Sequence, residues 1–285
     1  MIRALIGPRA AASLLRGGGA VAIDCRADLA NRDPAAAEAL YASAHLPGAV
    51  RADLERDLSD LSIAGRGRHP LPSAESFSRS LSAWGIAPGT PVIAYDAMQG
   101  ALAAARLWWM LRLAGHEDVA VLDGGWQGWQ AMGMPVEAGV VRRTPVARSV
   151  AYDEAQLVTS AALAGDLAAG RIALLDARAA PRFRGEVEPL DPVAGHVPGA
   201  RNRPYGDNLD ANGRFKPAAE LAADFGALIG AHAPRDTVLM CGSGVTACHN
   251  LLAMEHAGLA GARIYPGSWS EWVSDPARPV ATGAD

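Results

Sequence analysis

Cysteine is scarce in this chain: Cys25, Cys241 and Cys248 are the only three in 285 residues, and no two form a Cys-x-x-Cys. That excludes a disulfide scaffold and the common dithiol motifs, so a cysteine that matters here matters as a thiol. The seven histidines include no His-x-x-x-His pair. With no metal-ligand spacing to read, no metal and no cofactor is called for. Charge of either sign is not in excess, since 26 basic and 30 acidic residues leave a net −4. This gives no reason to expect nucleic acid or an anionic membrane as partner. No apolar run reaches a membrane-spanning length, and the opening MIRALIGPRAAASLLRGGGAVAID lacks an uninterrupted apolar core. The expectation is a cytoplasmic protein. What the chain does have is bulk, half of it apolar, enough for one large core or two moderate ones.

It also has an internal repeat. An apolar run ends in Asp24-x-Arg26 near the start and again in Asp176-x-Arg178 in the second half. His45-Leu46-Pro47-Gly48-Ala49 follows the first by 21 residues, and His196-Val197-Pro198-Gly199-Ala200 follows the second by 20. The stretch from Thr90 to Trp129 then parallels the stretch from Asp236 to Trp272, both closing on Gly-x-Trp-x-x-Trp: Gly124, Trp126, Trp129 and Gly267, Trp269, Trp272. One unit has been written twice, joined by a polar, proline-containing linker near residues 137–153. Within each copy, short apolar runs such as Val21-Ala22-Ile23, Val92-Ile93-Ala94 and Val119 to Leu122 read as buried strands. ALAAARLWWMLRLAG, from Ala101, reads as a helix stopped by glycine. Alternating strands and helices predict an α/β unit with a mainly parallel sheet, whose chemistry lies at the carboxyl ends of strands.

The copies control one another. Features present in both belong to the fold: the Asp-x-Arg pairs pin strand ends, His45 and His196 fix turns, and the tryptophans are core. Three features are not shared. Cys241 stands where the first copy has Asp96, Arg182 where it has Ala30, and His69 faces Phe215 and Lys216. Cys241 ends the apolar run Val238-Leu239-Met240 and is followed by Gly242, Ser243 and Gly244. Glycines there let successive amides curl inward ahead of a helix as an anion-binding nest. An ordinary thiol near pKa 8.5 is only a few per cent thiolate at neutral pH, and such a nest favours the thiolate. Ser243 and Thr246 add hydroxyls. Cys248, two helical turns along the same face, reads as core or at most a resolving thiol, and Cys25 as buried. A Cys-x5-Arg phosphatase would need an arginine at position 247 to grip phosphate, and Ala247 is there instead.

Together, CGSGVT, DARAAPRFRG and GSWSEW resemble the tandem-rhodanese sulfurtransferases along essentially the whole chain. The resemblance implies an α/β protein of two tandem rhodanese-like domains, each a mainly parallel sheet flanked by helices. Residues 1–140 would form the domain without the active cysteine and 151–285 the catalytic one. It implies a Cys241 persulfide formed from a small anionic donor, 3-mercaptopyruvate or thiosulfate, and discharged to cyanide or to a thiol such as thioredoxin or glutathione. Arg182 would bind the donor, with Gly242, Gly244, Val245 and Thr246 around it, while Ser243, His69 and an acid, Glu55 or Asp53, would supply a proton. The thiosulfate-preferring members carry basic residues where Gly242 and Ser243 stand. The mercaptopyruvate members carry a second arginine near Leu190 or Asp191, for which Arg184, or Arg66 and Arg68, could substitute. Other readings are a sulfur-relay carrier, against which Arg182 argues, and a non-catalytic structural protein, against which Cys241 argues.

Overall fold

The buried apolar runs become strands and the alanine- and leucine-rich stretches become helices. The computed structural model describes residues 4–27 and 33–284, so Ala30, the counterpart assigned to Arg182, lies outside the described residues. The chain divides into two units, the first drawn mainly from residues up to Asp153 and the second from Glu154 onward. Two segments cross that division: Leu61–Leu71 belongs to the second unit and Asn212–Arg214 to the first. The stretch 137–153 does not hang free. Val146 and Val150 donate their amides to Ser82 O and Ser78 Oγ, and Asp153 to Leu113 O.

In the first unit, strands β1 (Leu5–Ile6), β2 (Val21–Asp24), β3 (Val50–Arg51), β4 (Val92–Tyr95) and β5 (Val119–Leu122) form a parallel sheet in the order β1-β5-β4-β2-β3. In the second, β6 (Ala173–Asp176), β7 (Ala200–Asn202), β8 (Thr237–Met240) and β9 (Arg263–Ile264) are parallel in the order β7-β6-β8-β9. The orders superpose if β2 to β5 are read as β6 to β9. A parallel bridge from Leu157 to Ile264 stands where β1 meets β5. Helices flank both sheets, so the expected α/β architecture of two parallel-sheet domains is what the chain adopts. Central strands buried on both faces explain the continuous apolar runs.

The shared motifs hold this frame. Arg26 grips the Asp24 carboxylate through Nε and Nη2, and Arg178 grips Asp176 in the same way. Each guanidinium also lies over a tryptophan, Trp126 at 4.1 Å and Trp269 at 4.5 Å. His45 shares hydrogens with the Leu46 and Gly139 carbonyls, and His196 with that of Phe183, on whose ring it stacks. Trp129 and Trp272 donate Nε1–H to Pro135 O and Pro279 O.

Candidate active site

β8 is buried along its whole length and delivers Cys241, 2% exposed, to the carboxyl edge of the second sheet. Residues 242–246 then turn into the helix Ala247–His256. Gly244 adopts φ +76, and a Cβ there would collide with the Pro266 carbonyl oxygen. Its amide donates to Cys241 Sγ at 3.1 Å. The loop is clamped from below: Cys241 N–H donates to Ser268 Oγ (3.1 Å), while the Trp269 and Ser270 amides donate to Cys241 O and Gly242 O (3.0 Å each). Ser268 sits at φ +53, an uncommon angle for a residue with a side chain. Its counterpart Gly125 has φ +57. Cys248 is fully buried in the helix and donates Sγ–H to Gly244 O, and Cys25 is buried with its thiol pushed up by desolvation and by Asp96.

The first unit displays what such a loop holds when no thiol is present. Asp96, at the end of β4, is fully buried, and its carboxylate accepts hydrogen bonds from the amides of Met98, Gly100, Leu102, Ala103 and Ala104. The predicted helix from Ala101 begins instead at Ala104 because these amides turn inward to the carboxylate. At this strand end five amides close on a carboxylate in one copy, and in the other the Gly244 amide closes on sulfur.

Around Cys241 the second unit gathers several of the residues expected from the sequence. Arg182, on the short helix Ala180–Phe183, points both Nη atoms at the loop, 3.5 and 3.6 Å from where a Gly242 Cβ would be. Glu188 receives its Nε–H and Nη2–H at 3.1 and 2.6 Å. Burial alone would raise the Glu188 pKa. The Arg182 hydrogen bond and the Leu190 and Asp191 amides outweigh it and hold the group below its ordinary value. His69 Nδ1 lies 2.8 Å from Ser243 Oγ. Thr246 occupies the N-cap position of the following helix without a capping hydrogen bond from its side chain, and Val245 is buried.

Other expected residues lie elsewhere. Arg184 pairs with Glu186 at the surface, through Nε at 2.7 Å. Asp53, in the first unit, accepts from Arg51 at 2.7 Å; burial opposes ionisation, but this bond and the Arg56 and Glu55 amides lower its pKa, leaving it an acceptor. Glu55, also in the first unit, is exposed. Ser268, Glu188 and Asp191 escaped sequence reasoning. For Ser268 the only signal was its alignment with Gly125, a position that demands φ above zero.

A parallel α/β unit repeated in tandem, with a thiol at the strand end of one copy and a carboxylate at that of the other, defines a protein of the tandem rhodanese architecture. The comparisons agree. The rhodanese-like domain family matches residues 8–132 and again 159–275. A Pseudomonas aeruginosa protein named "Probable 3-mercaptopyruvate sulfurtransferase" is 48% identical over 92% of each chain. Thiosulfate/3-mercaptopyruvate sulfurtransferase 2 of Arabidopsis thaliana is 35% identical over 84% of this chain and 75% of its own. The structure of 3-mercaptopyruvate sulfurtransferase from Leishmania major matches with a TM-score of 0.81 at 32% identity, over 95% of this chain and 74% of that one. The chain belongs to the tandem rhodanese-like sulfurtransferases. Among the described residues no helix is long and apolar enough to cross a membrane.

Proposed function

We propose that the protein transfers sulfur from 3-mercaptopyruvate to a thiol or cyanide, through a persulfide on Cys241. The observation that carries this reading is the Cys241 loop itself: Sγ accepts the Gly244 amide, with Arg182 and the His69–Ser243 pair beside it. Cys241 thiolate attacks the donor sulfur, forming the S–S bond as the donor C–S bond breaks. The C–S electron pair becomes the enolate of pyruvate, which needs a proton. Ser243 Oγ–H is placed to give one, and His69 to replace it, a general-acid relay for the poorer leaving group. An acceptor thiolate then attacks the outer sulfur, and the S–S electrons return to Cys241. This is covalent catalysis split into two easier steps.

Uncharged Gly242 and Ser243 favour mercaptopyruvate over thiosulfate, whose leaving sulfite is already a stable anion. Thioredoxin or glutathione fits as acceptor, and the free thiols of all three cysteines suit a reducing compartment such as the cytoplasm. The test is mass spectrometry of the protein after mercaptopyruvate alone. One added sulfur on the Cys241 peptide, absent in Cys241→Ala and present in Cys248→Ala, is expected. Turnover retained in Cys241→Ala would refute the mechanism.

A further inference from the structure

Gly242 is occupied by glycine for a reason that lies outside its own backbone. A Cβ there would stand 2.8 Å from Arg68 Nη2, as well as 3.5 and 3.6 Å from Arg182 Nη2 and Nη1. Two guanidinium groups from segments far apart in the sequence therefore converge on the residue after Cys241. Asp191, its side chain 3% exposed, bridges them: Oδ1 pairs with Arg68 Nη1, and Oδ2 lies 3.5 Å from Arg182 Nη2. Glu188 takes the far edge of Arg182. The Arg68 main chain is fixed as well, its amide donating to Ser270 Oγ at 3.0 Å. At the preceding Gly67, φ is +86 and a Cβ would meet Ser270 Oγ at 2.9 Å.

We propose that Arg68 is a second donor-binding arginine. With Arg182 it receives the carboxylate of the sulfur donor over Gly242, and Asp191 holds it in place. Asp191 engages Arg68 Nη1, and Glu188 and Asp191 engage Arg182 Nε and Nη2. Arg68 Nη2 and Arg182 Nη1, which make no hydrogen bond to another side chain among the described residues, are left on the loop side. With Arg178, which reaches Glu188 at 3.4 Å and pairs with Asp176, three cations stand against three carboxylates in a balanced cluster, so a further carboxylate gains from directed N–H groups more than from net charge. Forked guanidinium donors suit a planar carboxylate, and a lysine ammonium would not reproduce them. Any side chain at position 242 would push Arg68 off this face.

The inference rests on Cys241 being the nucleophile, and thiol alkylation tests the two separately. Iodoacetate carries a carboxylate and iodoacetamide is its neutral counterpart. Rate constants for both are measured on the full-length protein, with peptide mapping of the label. The expected result is label on Cys241, with the iodoacetate-to-iodoacetamide ratio falling about tenfold in Arg68→Ala, the low end for a charge-assisted hydrogen bond. Arg68→Lys should recover only part of the ratio. Arg66→Ala should leave it unchanged, since Arg66 is 60% exposed and 3.7 Å from Glu271. Asp191→Asn, which removes the competing charge but keeps an acceptor oxygen, should raise it. An unchanged ratio in Arg68→Ala, with Cys241 still labelled, overturns the role of Arg68 alone. If Arg68→Ala does not fold, an unchanged or lowered ratio in Asp191→Asn overturns it. Label on another cysteine overturns both this role and the functional reading.

Discussion

His69 and Ser243, 174 positions apart in the sequence, share a hydrogen bond of 2.8 Å beside Cys241. The histidine lies in Leu61–Leu71, a segment that packs with the second unit although the first half of the sequence encodes it. Ser243 belongs to the loop that carries the thiol, so on the proposed mechanism the pair stands where the leaving group would be protonated.

From this pair follows a difference between donors. His69→Ala and Ser243→Ala should lower kcat with mercaptopyruvate by roughly 100-fold or more, the usual scale of general-acid catalysis. With thiosulfate, whose leaving group needs no proton, the loss should stay within about fivefold. Steady-state rates with both donors check this, and equal losses would remove the acid role.

A second prediction concerns Gly244. Gly244→Ala meets both an unfavourable φ of +76 and the Pro266 carbonyl oxygen, whereas Gly258→Ala meets a φ of +79 with open space around it. Strain alone costs about 1–2 kcal/mol. Gly258→Ala should lose that much in urea unfolding, and Gly244→Ala more, because its Cβ also meets the Pro266 oxygen. Only Gly244→Ala should also lose sulfur transfer, by more than about tenfold, since displacing this amide removes the hydrogen bond to Sγ.

Asp96 should be a large contributor to the stability of the first unit. Asp96→Ala strands the amides of Met98, Gly100, Leu102, Ala103 and Ala104 in a buried loop. Leaving buried donors unsatisfied costs about 1–3 kcal/mol each, without simple additivity, so a total loss of at least about 3 kcal/mol is expected. Denaturant titration measures it, and a loss below about 1 kcal/mol would contradict the cradle.

His116 gives the first unit a pH dependence. Its Nε2–H donates to Thr90 O at 2.8 Å, and Nδ1 accepts from Arg148 at 3.4 Å, an arrangement that holds the neutral ring. Burial, with Arg148 adding to it, lowers its pKa. The unfolded chain then binds more protons than the folded one below about pH 6.5. Stability is full above that value and declines as pH falls toward the depressed folded pKa. Melting temperatures between pH 7.5 and 5.5 should fall for the wild type, and by less for His116→Gln.

The sequence itself carried much of this architecture. Apolar runs became strands because both faces of each central strand are covered, and the repeat separated frame from chemistry at Asp96 and Cys241. Three things were not legible. The helix expected at Ala101 starts at Ala104, since no propensity scale registers a carboxylate recruiting the intervening amides. Ser268 holds a backbone angle that its residue type disfavours, and there its Oγ accepts from Cys241 N–H and donates to Tyr265 O. Glu188 and Asp191 read as loop acids, and their contact with Arg182 and Arg68 depends on packing between distant segments.

Leu61–Leu71 also sets a limit on how the protein can be taken apart. A chain cut in the polar stretch before Glu154 would keep the thiol and its cradle. It would lose both the imidazole that reaches Ser243 and the guanidinium that reaches Gly242. The second half of the sequence thus encodes a complete sheet without the strap that reaches its thiol loop, while the first half's own strand end stays closed by a carboxylate.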